Sequence, residues 1–268
     1  MQTVAVIGAG KIGEVLLSGL LRAGWPVDRL MATDRRVERA AELTERYGVR
    51  FVTNADAAKL ADVLVIAVKP QEATGLMETL GSELPPGTLV VSICAGLPTE
   101  FFAKHLPAGT PVVRVMTNTP ALVDEAMTAI SAGSHASAEH LAIAEDLFRP
   151  LGRTIRVPES QQDAVTALSG SGPAYFFYLV EAMTDAGILL GLPRQVAYDL
   201  IVQTAIGSAV MLRDSGEHPV KLREAVTSPA GTTIAAIREL ENHGVRAAFL
   251  SAMEAARNRS QELAAQSI

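Results

Sequence analysis

The chain has 268 residues and a mass of 28.3 kDa, and 49% of its residues are hydrophobic, so it can bury one large or two modest cores. Its 29 acidic residues outnumber its 23 basic ones, and the net charge of −6 disfavours a nucleic-acid-binding protein, which normally has a basic excess. The mean hydropathy is +0.24, yet the longest uncharged stretch, Ala164 to Val180, is too broken by glycine and serine to span a bilayer, so we predict no membrane contact.

The cysteine content and the first residues indicate a cellular compartment. A single cysteine, Cys94, excludes an internal disulfide framework and a cysteine-based zinc cluster. The segment Met1 to Val4 enters a strand-like run directly, with no basic region ahead of a signal sequence. We therefore predict a cytoplasmic protein.

In residues 1–156, short apolar runs alternate with helical stretches. The predicted strands are Thr3–Ile7, Leu30–Thr33, Val63–Val68, Thr88–Ile93, Pro111–Met116 and Met127–Ile130. Near-continuous apolar strands that alternate with helices are typical of a parallel sheet covered on both faces. We predict an α/β fold in which residues 1–156 form a Rossmann-type, doubly wound, dinucleotide-binding domain.

In residues 157–268 the strand pattern disappears and apolar residues recur at helical spacing. The predicted helices are Tyr175–Gly187, Arg194–Arg213, Ile234–Asn242 and Val245–Gln266. Glycine- and proline-containing turns separate them, and no flexible linker precedes them. We predict a second, all-α domain over residues 157–268, packed directly on the first.

A glycine-rich motif directly follows the first predicted strand and opens a helix; its residues are Gly8-Ala9-Gly10-Lys11-Ile12-Gly13. In the dinucleotide fingerprint the first glycine allows the tight turn, the second lets the backbone approach the pyrophosphate, and the third lets the helix pack on the strand. The helix N-terminus supplies N–H groups to the phosphates. The motif predicts a nucleotide cofactor, with a purely structural turn as the alternative.

The residues after the second strand bear on the choice between NADPH and NADH. Asp34 is an acidic residue of the kind that binds the ribose hydroxyls of NAD, whereas Arg35 and Arg36 suit the 2′-phosphate of NADP. The two signals conflict, so the sequence leaves the preference open.

Other predicted cofactor residues lie where strands end. One loop is Ala67-Val68-Lys69-Pro70 and the next is Cys94-Ala95-Gly96. We expect Lys69 beside the nicotinamide ribose or the pyrophosphate, with an exposed loop lysine as the alternative, and Asn54 on the adenosine side. Cys94 has no neighbouring base in the sequence, which favours a small buried residue over a nucleophile.

The helical half carries two motifs rich in small residues. Ala167 to Tyr175 is a small-residue break that fits either a helix cap or a place where backbones or a ligand come close. Thr227 to Ile234 places serine, threonine and glycine ahead of a helix, which fits a cap or a cradle for a carboxylate. The five histidines form no metal-ligand pattern, and no G-x-S-x-G elbow indicates a hydrolase.

These motifs occur together in the order known from one family. The glycine fingerprint is followed by Ala67-Val68-Lys69-Pro70, Asn118-Thr119-Pro120, Leu168 to Tyr175 and Ser228 to Thr233. Over essentially its whole length the chain resembles the pyrroline-5-carboxylate reductases. It departs from them at Thr117, where the family usually has proline, and at Ala230, where it usually has glycine. Neither change removes a reacting group.

The resemblance implies a reaction and a substrate site. The family reduces 1-pyrroline-5-carboxylate to L-proline with NADPH or NADH, the final step of proline biosynthesis. By motif matching, the backbone of Gly231, Thr232 and Thr233 holds the substrate carboxylate, and the catalytic Thr233 hydroxyl bonds the ring nitrogen. Glu159 matches a position of the family's substrate loop near the imine.

The resemblance also implies a homodimer built by the helical domain, and dimers that can assemble into a decamer. The run Tyr175 to Val180 is too apolar all round for a surface helix, which fits burial between subunits.

Two other functions share features with this sequence. A β-hydroxyacid dehydrogenase shares this layout but needs a base such as lysine on the first long helix of the second domain, and no lysine lies between Ala174 and Leu192. A non-catalytic NADPH-binding regulator remains open from the sequence alone.

Overall fold

The computed structural model of the chain describes residues 2–81 and 83–265. It divides into two compact units: the chain up to Ser171 together with the end of the last helix from Ala256, and the segment Gly172–Ala255. The chain thus leaves the first unit at Ser171, and the domain boundary after residue 156 stays a prediction.

Within the described residues, the first unit is built on one sheet of eight strands in the order β3-β2-β1-β4-β5-β6-β7-β8. Four of them, β1, β2, β4 and β5, are buried over their whole length, as the apolar runs predict. The strands are β1 (Val4–Ile7), β2 (Leu30–Thr33), β3 (Arg50–Phe51), β4 (Val63–Ile66), β5 (Leu89–Ser92), β6 (Val112–Met116), β7 (Ala126–Ala132) and β8 (Gly152–Arg156).

Helices cover both faces of this sheet, so the predicted doubly wound α/β fold is confirmed. One apolar cluster includes Leu20 and Phe148, and the other includes Met77 and Phe102. Burying each such side chain contributes about 1.5–3 kcal/mol. The helices of this unit are α1 (Lys11–Arg22), α2 (Val37–Tyr47), α3 (Asn54–Leu60), α4 (Pro70–Leu80), α5 (Thr99–His105), α6 (Ala138–Phe148) and α7 (Gln162–Val165).

The strand order positions a binding crevice. The chain winds outward from β1 in one direction through β2 and β3, and in the other through β4, β5 and β6. Ligands of open α/β sheets bind at the carboxyl ends of the strands where the winding direction reverses. That place is the pair β1 and β4, which run parallel with Ile7 opposite Ile66.

The sheet is parallel, as predicted, except at its far edge. β7 runs antiparallel to β6, with Val115 opposite Ile130, and β8 then pairs parallel to β7. The connection from β6 to β7 is shorter than the roughly twelve residues that a parallel crossover needs, so the chain turns back on itself. β8 was not predicted, because its residues are mostly exposed and carry no apolar run.

The second unit is helical, and it confirms the predicted helices to within a few residues. Gly187 lets α8 and α9 approach closely, because a Cβ there would lie 2.6 Å from the Cβ of Ala197. Gln266, predicted in the last helix, lies outside the described residues. Its helices are α8 (Gly172–Leu189), α9 (Arg194–Asp214), α10 (Pro219–Ala225), α11 (Thr232–Asn242) and α12 (Val245–Ala265). The helix α10 was not predicted, and α12 ends in the first unit.

The surface of the second unit is unusually apolar for one chain. Phe176, Phe177 and Tyr178 of α8 are each about two-thirds exposed or more, at 67%, 69% and 74%. Within residues 2–81 and 83–265, one helix, Arg194–Asp214, is long and apolar enough to cross a membrane by length and composition. Exposed apolar patches of this kind mark surfaces that are covered by a partner or a membrane.

Candidate active site

The glycine-rich turn lies between β1 and α1 and is held against the end of β2. Gly8 has φ +95°, a backbone conformation that only glycine adopts readily. The N–H groups of Gly8 and Ala9 both donate to the carbonyl oxygen of Thr33 at 3.0 Å. The turn is therefore fixed before any ligand arrives.

The other two glycines of the motif, Gly10 and Gly13, have different structural surroundings. A Cβ at Gly13 would lie 2.4 Å from the carbonyl oxygen of Gly8, so α1 can pack on the turn only without a side chain there. A Cβ at Gly10 would meet nothing within 4 Å. Gly10 is also the N-cap of α1 and has no side chain to cap the first-turn N–H groups. An open, uncapped helix N-terminus fits a pyrophosphate.

An open cleft of about 1340 Å³ surrounds this turn and gathers many of the predicted cofactor residues. It is lined from the ends of β1, β2 and β4 and from the start of α4. The predicted residues that line it are Gly8, Gly10, Lys11, Asp34, Arg35, Asn54, Ala67, Val68 and Lys69.

The remaining predicted cofactor residues are not among those that line the cleft. Ala9 is buried beneath the turn, and Pro70 is the first residue of α4. Gly96 packs near Leu263 and Ala264 of α12, within the first unit. The full set outside the lining is Ala9, Ile12, Gly13, Pro70, Cys94, Ala95 and Gly96.

Cys94 is a small buried residue, as its sequence context favours. Its Sγ lies 3.3 Å from the carbonyl oxygen of Val68, and 2% of the residue is exposed. Burial raises the pKa of the Cys94 thiol to about 11. At neutral pH the group is a thiol without nucleophilic character.

Asp34 is bonded to its own neighbour. Its Oδ1 accepts from the backbone N–H of Arg36 at 2.9 Å and from Nε of Arg36 at 3.1 Å, and its Oδ2 accepts from Nη2 at 3.1 Å. Burial raises the pKa of Asp34, but the hydrogen bonds from Arg36 outweigh it and keep the pKa below its ordinary value. Asp34 is thus an ionised carboxylate that accepts three hydrogen bonds from Arg36.

Three acidic residues that line the cleft were not predicted from the sequence: Glu72, Glu14 and Glu42, the last of which pairs with Arg39 at 2.9 Å. Glu72, in the first turn of α4, pairs with Arg35. Glu14 of α1 pairs with Arg39, whose Nε also donates to the carbonyl oxygen of Ala9 at 3.3 Å. The only sequence signal for Glu14 and Glu72 was an acidic residue in the first turn of each helix, which is common at helix N-termini and points to no partner.

Asn54 and Lys69 lie at helix starts on the rim of the cleft. Thr53 caps α3 by accepting from the N–H of Asp56 at 3.1 Å, which fixes Asn54 as the first helical residue. Lys69 is the N-cap of α4 and is followed by proline at the first helical position. Both side chains therefore start from rigid positions.

Glu159 lies in a charged cluster of the first unit. Its Oε1 accepts from the backbone N–H of Thr99 at 2.6 Å, and its Oε2 accepts from the Thr99 hydroxyl at 2.5 Å. The Arg114 guanidinium, with only 6% of its side chain exposed, lies 3.6 Å from Glu159 and 3.9 Å from Asp163. Ser260 of α12 donates to Asp163 at 2.7 Å. The substrate-binding role of Glu159 stays a prediction.

The small-residue break packs against the side chains of Met116 and Asn118. A Cβ at Gly170 would lie 2.5 Å from Cε of Met116. The Asn118 side chain donates to the carbonyl oxygen of Ser169 at 3.0 Å, so two of the five motifs that carry the family resemblance contact each other. Thr117, where the family usually has proline, bonds the buried Thr128 hydroxyl at 2.9 Å.

In the second unit, the residues before α11 form a strained turn. The N–H of Gly231 donates to the carbonyl oxygen of Ser228 at 3.1 Å, and Ala230 has φ +56°. Proline at the second position and positive φ at the third are the features of a type II turn, which favours glycine at the third. A Cβ at Gly231 would lie 2.3 Å from the Ser228 hydroxyl. Gly231 is the N-cap of α11, so Thr232 and Thr233 occupy its first two positions.

We expect the Ala230→Gly variant to be more stable than the wild type by about 0.5–1 kcal/mol. Relief of the left-handed conformation outweighs the extra freedom that glycine has in the unfolded chain. Urea unfolding measures the difference. The matched control is Ala236→Gly, on an exposed position of α11, where the same change is expected to destabilise by about 0.5–1 kcal/mol. Equal losses in the two variants would contradict the strain at Ala230.

The sheet topology, the closely packed glycine turn and the open cleft place the chain in the class of Rossmann-type NAD(P)-binding oxidoreductases. One family model, described as NADP oxidoreductase coenzyme F420-dependent, matches residues 3–96, and another, described as pyrroline-5-carboxylate reductase dimerisation, matches residues 159–263. The chain belongs to the pyrroline-5-carboxylate reductase family, since a member from Corynebacterium melassecola is 45% identical over 271 residues that cover 98% of this chain and 99% of the relative.

Solved structures agree with this assignment. A pyrroline-5-carboxylate reductase from Coxiella burnetii superposes with a TM-score of 0.93 at 36% identity, covering 98% of both chains. Pyrroline carboxylate reductase from Plasmodium falciparum, solved with NADP bound, superposes with a TM-score of 0.88 at 27% identity, again covering 98% of both chains.

Proposed function

We propose that this chain reduces 1-pyrroline-5-carboxylate to L-proline with NADPH or NADH, the final step of proline biosynthesis. The observation that carries the proposal is the closely packed glycine turn beside an open cleft. It occurs in a chain that is 45% identical, over 98% of its length, to a protein named pyrroline-5-carboxylate reductase. The relative with NADP bound supports the choice of a nicotinamide cofactor.

The proposed cofactor site uses the first unit. The N–H groups at the start of α1 bind the pyrophosphate beside Gly10, and Lys69 adds a positive charge on the rim. When bound, the nicotinamide supplies the hydride that is added to C5 of the imine. The buried thiol of Cys94 supports the loop after β5 by packing and takes no part in the chemistry.

The proposed substrate site uses the N-terminus of α11. The N–H groups of Thr232 and Thr233 bind the carboxylate, which the positive end of the helix dipole favours, and Gly231 places them as the N-cap whose own N–H closes the turn on Ser228. The Thr233 hydroxyl bonds the ring nitrogen and so orients the imine. A protonated imine is already a good electrophile, so positioning supplies much of the rate. Glu159 matches a family substrate position, and because both its oxygens bond Thr99, we propose that it acts by holding the start of α5.

The assembly follows from the same family assignment. The matched dimerisation region supports an oligomer, and we propose a homodimer in which a second copy covers the apolar side chains of α8 and α9, with a decamer as the larger assembly. A partner copy, rather than lipid, then accounts for the apolar surface of α9. We propose a soluble protein of the cytoplasm that binds no nucleic acid and no membrane.

Two glycine variants separate a structural role from a binding role in the turn. Gly13→Ala is expected to lower the free energy of unfolding by about 2–3 kcal/mol, because its Cβ collides with the Gly8 carbonyl. Gly10→Ala is expected to cost no more than about 1 kcal/mol in stability, yet to weaken NADPH binding by about tenfold or more, because its Cβ stands where the pyrophosphate approaches. Urea unfolding and titration of NADPH fluorescence measure the two effects. NADPH binding by Gly10→Ala as tight as in the wild type would contradict the site.

A substrate comparison tests the proposed function. NADPH and NADH oxidation are followed with 1-pyrroline-5-carboxylate and, as a control, with a 3-oxo acid. We expect cofactor oxidation with 1-pyrroline-5-carboxylate and none with the 3-oxo acid. Oxidation with the 3-oxo acid would indicate a β-hydroxyacid dehydrogenase, and cofactor binding without oxidation would indicate a regulator.

A further inference from the structure

One ion pair bridges the two loops that flank the glycine turn. Arg35 follows β2, and Glu72 lies in the first turn of α4, which follows β4; their side chains meet through Nη2 and Oε1. β2 and β4 lie on opposite sides of β1. Both residues line the cleft. The pair therefore connects the two rims of the cofactor cleft.

On the rim formed by the loop after β2, Asp34 and Arg36 form an ion pair with each other. An acidic residue at the end of β2 reads the 2′-hydroxyl of NAD when its oxygens are free to accept. The Asp34 side chain is 8% exposed and already accepts three hydrogen bonds from Arg36, so about one lone pair, on Oδ2, remains for a ribose hydroxyl. Arg35 differs, because its side chain is 80% exposed and its partner Glu72 lies across the cleft. Arg35 can turn toward an anion without leaving a buried charge behind.

We propose that Glu72 lowers the preference for NADPH over NADH by competing with the 2′-phosphate of NADPH for Arg35, the arginine that the sequence suits to this phosphate. The inference rests on the proposed function, since it concerns the cofactor of that reaction. A phosphate monoester carries nearly two negative charges at neutral pH and can take two parallel hydrogen bonds from a guanidinium. It therefore displaces the single carboxylate of Glu72. NADH offers no phosphate at this place, so the pair stays closed when NADH binds.

The proposal predicts opposite effects for the two partners. Glu72→Gln removes the competing charge and keeps the side-chain shape. Because an exposed ion pair is weak, the Kd for NADPH is expected to fall by about two- to fivefold. Arg35→Ala removes the phosphate ligand, and the Kd for NADPH is expected to rise by about tenfold or more. The Kd for NADH stays near the wild-type value in both variants, and Glu72→Gln has no further effect once Arg35 is alanine.

The experiment is a titration of the full chain with NADPH and with NADH, followed by nicotinamide fluorescence in the absence of the imine. The matched control is Glu83→Gln, since Glu83 also pairs with an exposed cation, Lys59, at 2.8 Å, and its side chain is 34% exposed against 33% for Glu72. Glu83 is not among the residues that line the cleft, so this variant is expected to bind both cofactors like the wild type.

The outcomes separate the inference from the proposed function. An unchanged Kd for NADPH in Glu72→Gln, or an equal change for NADPH and NADH, would overturn the role of Glu72 while leaving the reductase intact. Unchanged NADPH binding by Arg35→Ala would overturn the role of Arg35. A wild-type chain that binds neither cofactor would overturn the proposed function and this inference together.

Discussion

The Thr233→Ala variant is expected to lose about two to three orders of magnitude in kcat, while its Kd for NADPH stays within about twofold of the wild type. The loss corresponds to removal of one preorganised hydrogen bond at the reacting atoms. Thr233 occupies the second position of α11, next to the first-turn N–H groups that we propose bind the carboxylate. Steady-state kinetics with the imine and NADPH fluorescence titration measure the two quantities separately.

The conservative variant is the control for Thr233. Thr233→Ser keeps the hydroxyl and is expected to retain most of the turnover, whereas Thr233→Val keeps the shape without the hydroxyl and is expected to behave like the alanine variant. Near-normal kcat in Thr233→Ala would remove this hydroxyl from the mechanism. A parallel loss of NADPH binding would show instead that the substitution disturbs the fold.

Loss of the buried arginine is expected to have the largest effect on stability. Arg114→Met keeps much of the apolar stem but removes the cation that faces Glu159 and Asp163 at 3.6 and 3.9 Å. Removal of one partner from a buried ionic cluster costs about 3–5 kcal/mol, and the partial exposure of the two carboxylates places the expected loss near about 3 kcal/mol. Urea unfolding at neutral pH measures it.

Two further variants test the cause of that loss. Neutralising the stranded carboxylates in Arg114→Met/Glu159→Gln/Asp163→Asn is expected to restore part of the stability, because the repulsion and the unpaired charges disappear together. Arg149→Met is the matched control, since Arg149 forms an exposed pair with Asp146 at 3.3 Å and is expected to contribute at most about 1 kcal/mol. Equal losses in Arg114→Met and Arg149→Met would contradict the buried cluster.

The central strands could be predicted from the sequence because a strand that is buried on both faces consists of a continuous run of apolar residues. β2 was predicted to the residue, and β4 and β5 to within two residues at their ends. β8 could not be predicted, because an edge strand with Arg153 and Arg156 exposed needs no such run. The short connection before β7 sets the antiparallel direction of this strand, and the pattern of apolar residues does not indicate that direction.

Local features of the site could be predicted, but side-chain partners could not. The glycine turn is a property of consecutive residues, so its spacing is enough to place it at the carboxyl end of β1. The pairing of Arg35 with Glu72 joins loops from different strands, and no spacing encodes it. The departure at Ala230 was visible in the sequence, but its cost became clear only from the positive φ that the turn requires.

The most direct test of the proposed reaction measures both products in one vessel. The purified chain is incubated with 1-pyrroline-5-carboxylate and NADPH, and L-proline is quantified by mass spectrometry while NADPH oxidation is followed by absorbance. We predict one L-proline for each NADPH oxidised, with no product when either reactant is omitted. NADPH oxidation without L-proline, or stable NADPH in the presence of the imine, would contradict the proposed function.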